Sequence, residues 1–235
     1  MTSRESDEEM RRLLQARLQE WRLREARPES RSEPVVTITR EPGCGGESIA
    51  EQLCAELNLH LYDWELVERI AKDTHVSTRL VATLDEHLRS ELDDWLPEFG
   101  GDLSLSSQAY VESLKRVLFA IAAHGGAVIV GRGSNFFLPA NKRIGLCFVA
   151  PLDLRIKNTM KELGLSEKEA RARIAKVERE HRRLVKKYFH ADVRDSTHYH
   201  LVVNTALVQP GVIVNIVKTV LLAQTCNNQP KETIL

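Results

Sequence analysis

The stretch TITREPGCGGESIAEQL, residues 37–53, decides how the rest of the chain is read. A β-rich run (Val35, Val36, Thr37, Ile38, Thr39) enters a turn holding Gly43, Gly45 and Gly46. Ile49, Leu53 and Leu57 then recur at spacings of four, so an amphipathic helix leaves the turn. Strand, glycine turn and helix are the parts from which backbone amides and a helix N-terminus build a phosphate cradle. Such a loop ordinarily closes with Lys before its Ser or Thr. Here Glu47 precedes Ser48, and Gly46 stands before that. Gly43, Cys44, Gly45, Gly46, Glu47 and Ser48 are the candidate phosphate-loop positions. Ser48 is placed to ligate Mg²⁺ or a phosphate oxygen; the structural alternative is an N-cap serine.

The chain bounds what this loop can serve. Its 235 residues suffice for one sizeable core, or one core with a second smaller part. Formal net charge is zero and the pI is near 7.1, so the bulk field does not argue for duplex nucleic acid. The most apolar run, VIVNIVKTVLLA, is cut by Asn215 and Lys218, and no membrane span is expected. The N-terminus is charged where an export signal would be apolar, which predicts a cytoplasmic protein. Cys44, Cys54, Cys147 and Cys226 show no metal-ligand spacing, and a reducing setting suits all four. Cys44, between the loop glycines, reads either as a reactive thiol near a helix N-terminus or as a small residue tolerated in a tight turn.

Residues 1–34 are set apart. Met10, Leu14, Leu18 and Trp21 make a narrow stripe on a charged helix, followed by the polar linker ARPESRSEP. The stripe fits either a solvated appendage or an arm that docks a protein partner or a second copy. From Val35 onward β-type and helical segments alternate, which predicts a parallel α/β sheet. Strands are expected at 35–39, near 59–62, at 127–130, 144–149 and 201–204, and helices at about 47–58, 64–73, 107–124, 152–163, 166–188 and 211–224. Ser166 with Glu169 forms a capping box, and Pro210 suits the start of the last helix. Leu80, Leu84, Leu88, Leu92 and Trp95 form one helical stripe within an acidic insertion, about 63–105. A second, basic helical stretch covers about 153–194. Residues 226–235 are a tail, which bounds the main domain at 35–225.

Other residues carry phosphate chemistry. In AVIVGRGSNFFL, Arg132 emerges between two glycines at the end of a strand, where ligand crevices of open α/β sheets lie. Its guanidinium fork suits phosphate; an ordinary structural ion pair is the alternative. Arg155 and Lys157 stand in the first turns of a helix, against its dipole, a placement that can signal an anion partner. The helix SEKEARARIAKVEREHRRLVKKYF packs through Ala170, Ile174, Val177, Leu184 and Tyr188. It spreads Arg179, Arg182 and other cations elsewhere, and a phosphoryl-transfer lid needs only one or two of them. His181 falls on the packed stripe, as packing rather than a base. His198 and His200 lack a third metal ligand and read as a strand lead-in.

ITREPGCGGESIAEQLCAEL, LYDWELVERIA, VIVGRGSNFF, LRIKNTMKELGLSEKEARARIAKVERE and YHLVVNT, in that order, resemble the cytidylate kinase-like family of P-loop nucleoside monophosphate kinases. The resemblance implies a P-loop three-layer α/β sandwich with a parallel sheet, a helical NMP-binding insertion and a basic helical lid. It implies ATP and Mg²⁺ as cofactors and a nucleotide or similar small acceptor as substrate. Gly43, Gly45, Gly46 and Ser48 carry over to the phosphate loop, Asp63 and Arg132 to the acceptor, and Arg155 to the start of the pre-lid helix, with Arg179 or Arg182 in the lid. The family habitually lacks the loop lysine at Gly46 and has Arg where this chain has Glu47. The lid's Asp-x-x-Arg becomes Glu178-x-x-His181, and the acid before the last strand becomes His200. The expected function is transfer of the γ-phosphoryl of ATP to a nucleoside monophosphate. The alternative is a catalytically weak, nucleotide-binding regulatory or assembly module that keeps the kinase fold.

Overall fold

The computed structural model describes residues 34–72, 74–84, 86–95, 105–131 and 133–227, with a few isolated positions before them. The N-terminal arm, Arg132 and the residues after 227 lie outside that description. In chain order the elements are β1 (Val35–Arg40), α1 (Gly46–Leu57), β2 (His60–Asp63), α2 (Trp64–Lys72), α3 (Thr74–Val81), α4 (Glu86–Trp95) and α5 (Leu105–His124). They continue as β3 (Ala127–Val130), α6 (Ser134–Phe137), β4 (Ile144–Val149), α7 (Leu152–Leu163), α8 (Glu167–Phe189), β5 (Leu201–Asn204) and α9 (Pro210–Asn227). Among these no helix is long and apolar enough to cross a membrane.

The five strands form one sheet in the order β2-β3-β1-β4-β5. β1 pairs parallel with both β3 and β4, and β4 pairs parallel with β5. β1 is therefore a central strand with both edges paired, and elements on both faces of the sheet bury its residues in a continuous run. On one face Val36, Ile38, Leu146 and Phe148 pack against Ile49 and Leu53 of α1 and Ile213, Val214 and Val217 of α9. Each such side chain contributes roughly 1.5–3 kcal/mol through burial.

The opposite face is polar around β1. Thr37 Oγ1 donates to Asn135 Oδ1 at 3.1 Å, and Asn135 Nδ2 donates to the His198 carbonyl at 3.0 Å. Gly145 sits opposite Thr37, and the space its missing Cβ would take is filled by Asn135 and Arg143. His200 holds the same glycine from the next chain segment. Its Nδ1 accepts the Gly145 N–H at 3.0 Å, while its own N–H donates to the Gly145 carbonyl at 2.7 Å. A neutral imidazole thus fills an acceptor role that a carboxylate can also fill. His198 instead lies in a 3₁₀ turn with Nε2 3.9 Å from Asp195 Oδ2, so the two histidines have separate partners.

The chain divides into two compact units, one holding residues 34–61 and 126–227 and the other residues 62–125. The second is helical, and α5 belongs to it, so it extends well past the expected limit near 105. Ser113 Oγ on α5 donates to the Ala71 carbonyl of α2 at 2.6 Å, and Leu114, Val117 and Leu118 of α5 are buried. The leucine stripe expected as one helix is broken into α3 and α4. Thr83 Oγ1 donates to the Leu80 carbonyl at 2.6 Å and contacts His124 Nε2 at 2.7 Å, which closes α3. Leu80, Leu84 and Leu92 are still all buried, on α3, on the connection after it and on α4 respectively. At the other end of the chain α9 continues to Asn227, taking in Cys226, which was expected to begin the tail.

Candidate functional site

β1 is flanked by β3 on one side and β4 on the other, so chain connections diverge at its carboxyl end. That is where an open α/β sheet leaves a crevice. The glycine turn occupies it. Gly43 and Gly45 hold φ of 77° and 79°, left-handed values that glycine adopts without strain. Gly45 is the N-cap of α1 with no side-chain bond, so Glu47 and Ser48 lie inside the first turn. Ser48 is therefore not the capping residue; its hydroxyl is exposed, 3.4 Å from Gln52 Nε2.

Two side chains from distant segments fasten the turn. Asn158 Nδ2 of α7 donates to the Gly43 carbonyl at 2.8 Å, and Thr205 Oγ1, just after β5, donates to the Cys44 carbonyl at 2.7 Å. A Cβ on Gly43 would run into the Arg155 carbonyl and come within 2.6 Å of Thr159 Oγ1, so α7 seats directly on the loop. The Cys44 side chain points into the core. Burial pushes its thiol up to about 11, the dominant cause, with Glu47 and Glu41 adding to it. That corrects the reactive-thiol alternative: Cys44 is a small core residue in a tight turn.

Beside the loop lies an ion cluster. Arg155 is buried, yet its Nη1 donates to Glu178 Oε1 at 2.6 Å and its Nε lies 3.4 Å from Glu41 Oε2. The same Nε donates to the Ala150 carbonyl at 3.0 Å, and Glu41 Oε2 also accepts the Ala150 N–H at 3.0 Å. Arg182 joins from the next turn of α8, with Nη2 3.7 Å from Glu178 Oε2. Two carboxylates and two guanidiniums balance, so a buried charge is paired as it must be. The anion partners expected of Arg155 from its place in α7 are these carboxylates.

Glu47 is not a bare negative charge on the loop. Its Oε1 accepts from Arg40 Nε at 2.7 Å, across an exposed ion pair. Gly46, the position of the absent lysine, is buried; a Cβ there would come within 3.1 Å of Arg40 Cβ and 3.2 Å of the Phe148 ring.

The structure thus brings together Gly43, Cys44, Gly45, Gly46, Glu47, Ser48, Arg155 and Arg182. Arg179 is exposed on α8 and has no part in the Arg155 cluster. Asp63 belongs to the helical unit, where Oδ1 accepts the Leu66 N–H at 2.8 Å and caps α2. Sequence reasoning missed Arg40, Glu41, Asn158 and Thr205. Arg40 and Glu41 were visible as an Arg-Glu pair directly before the glycines, whereas Asn158 and Thr205 carried no local signal.

Residues 35–207 match the family model described as the cytidylate kinase-like family. The chain belongs to that family. Relatives include the cytidylate kinase of Ignicoccus hospitalis, 29% identical over 80% of this chain and 99% of its own length. The cytidylate kinase of Sulfolobus acidocaldarius is 27% identical over 77% and 91% respectively. An uncharacterized protein from Eubacterium ventriosum shares the fold, with a TM-score of 0.63 at 21% identity over 81% of this chain and 99% of that one. The α/β fold expected from the glycine loop is therefore that of this P-loop kinase family.

Proposed function

We propose that the protein is a nucleotide kinase that moves the γ-phosphoryl of ATP, with Mg²⁺, to a nucleoside monophosphate such as CMP. The glycine turn at the divergence of β3 and β4 carries this reading, because it offers backbone amides and a helix N-terminus to a polyphosphate. Membership of the family supports it. The loop would hold the donor phosphates. Ser48, exposed in the first turn of α1, would hold the metal, and a single hydroxyl suits an ion bound mainly by substrate phosphates and water. A metal held there would supply charge neutralisation at the transferring group. Arg132 would take the acceptor phosphate, with Asp63 as a further acceptor contact. Arg155, Arg179 and Arg182 would counter charge that develops in transfer. The chemistry is positioning and electrostatics and needs no protein nucleophile.

A second reading has its own observation. Arg155 and Arg182 are already engaged by Glu41 and Glu178, and the loop has neither Lys nor Arg at 46 or 47. A module that binds nucleotide yet turns it over weakly would have such a site. Titration of ATP·Mg²⁺ followed by ADP release across a panel of nucleoside monophosphates separates the two. Acceptor-dependent turnover supports the kinase, binding without turnover supports the module, and absence of binding refutes both. Arg132→Ala is expected to abolish monophosphate binding while the thermal midpoint stays put; unchanged affinity would remove Arg132 from the acceptor site.

A further inference from the structure

The loop lacks a cation at the two positions where one is expected, and the guanidinium paired with Glu47 comes from Arg40. Arg40 ends β1, and its Cβ lies 3.1 Å from where a Cβ on Gly46 would stand. A side chain at 46 would therefore press on the stem of Arg40, which would have to shift slightly to admit it. The Arg40 head turns to the first turn of α1, where its Nε meets Glu47 Oε1 at 2.7 Å. The two side chains are 30% and 59% exposed, so this pair stands at the open side of the loop and not in the core. The helix N-terminus favours the Glu47 carboxylate there, and it favours phosphate for the same reason.

We propose that Arg40 is the donor-phosphate cation of this loop, displaced from positions 46 and 47 to the end of the strand, and that Glu47 holds it until a polyphosphate takes its place. A phosphate chain accepts the guanidinium fork bidentately and carries more charge than one carboxylate, so exchange of Glu47 for phosphate is favourable. Glu47 then acts as a placeholder that orients Arg40 across the mouth of the loop, instead of simply repelling the donor. This assignment rests on the nucleotide-kinase function proposed above and deepens it.

The test is titration calorimetry of ATP·Mg²⁺ into the full chain, the variants Arg40→Gln, Arg40→Lys and Glu47→Gln, and the double variant. CMP is titrated separately into each. Arg40→Gln is expected to weaken ATP at least tenfold and to leave CMP affinity within twofold, and Arg40→Lys to recover part of the loss. Glu47→Gln should tighten ATP several-fold in the parent and have little effect beside Arg40→Gln, because its action runs through Arg40. Parent and Arg40→Gln proteins that bind ATP equally would overturn the assignment while leaving the kinase reading intact. So would a Glu47→Gln effect of the same size in both backgrounds, which is the mark of simple repulsion. A parent protein that binds no ATP would bring down both. Arg40→Lys guards against a folding defect: a stable Lys variant that recovers part or all of the affinity supports a cation at this place, and a stable one as weak as Gln refutes it.

Discussion

Gly43 and Gly45 share a backbone conformation but not a neighbourhood, and that difference makes a measurable prediction. Both have left-handed φ, at 77° and 79°. Any L side chain there costs about 1–2 kcal/mol. At Gly45 nothing lies within 4 Å of the added Cβ, so Gly45→Ala should cost only that much. At Gly43 the added carbon meets the Arg155 carbonyl and lies 2.6 Å from Thr159 Oγ1. Backbone of α7 must then retreat, and overpacking adds about 1–3 kcal/mol. Gly43→Ala should therefore destabilise by about 2–5 kcal/mol in total, a large share of the ~5–15 kcal/mol that holds a typical domain. Urea unfolding reads the difference as separate midpoints with equal slopes. Adding Thr159→Ala to Gly43→Ala should recover part of the loss, because it removes the side-chain half of the clash but leaves the Arg155 carbonyl. Equal costs at the two glycines would refute the close seating of α7 on the loop. So would a Thr159→Ala change that merely adds its own cost.

Three further outcomes follow from the same geometry. Glu178→Gln leaves Arg155 with Glu41 alone and should cost about 1–3 kcal/mol in urea unfolding, whereas an unchanged midpoint would mean that the pair is not formed in solution. Cys44 and Cys147 are buried, and desolvation raises their thiols to about 11 and about 12, so peptide mapping after iodoacetamide at pH 8 should find both unmodified in folded protein and reactive in urea. His200 has its pKa lowered, first by burial and then by Arg143, and its neutral ring accepts the Gly145 N–H. A lowered folded pKa means that its contribution is present above the unfolded value, near ~6.5, and is lost as pH falls through the folded one. Thermal melts should therefore show a loss of stability below that pH, which His200→Gln reduces; identical pH profiles would contradict it.

The strands were legible because β1, β3 and β4 are covered on both faces and read as unbroken apolar or β-branched runs. The capping box was legible for a different reason: Ser166 and Glu169 satisfy each other's backbone within one turn, so the signal is complete locally. The break between α3 and α4 was not. Leucine spacing continues across it, and what ends the helix is one hydroxyl, Thr83, whose bond to Leu80 and contact with His124 depend on the folded chain. The site divides in the same way. Glycines in left-handed conformation announce a loop from sequence alone. The fastening of that loop by Asn158 and Thr205, and the pairing of Arg155 with Glu41 and Glu178, join segments that only the sheet brings together.

Position 46 shows why register alone misleads at such a site. Aligned to a motif, Gly46 is a lost cation and Glu47 is a reversed charge. In space, a Cβ on Gly46 would press on the Arg40 stem at 3.1 Å and on the Phe148 ring at 3.2 Å, and Glu47 faces the Arg40 guanidinium. A phosphate responds to the position of positive charge and not to the residue number that carries it. Moving the cation from helix to strand end does change its character. A lysine offers a compact, rotatable point charge, while an arginine offers a planar fork whose direction matters. Glu47 is the group that gives Arg40 that direction before any ligand arrives, so the two substitutions are intelligible as one linked change and not as two separate losses.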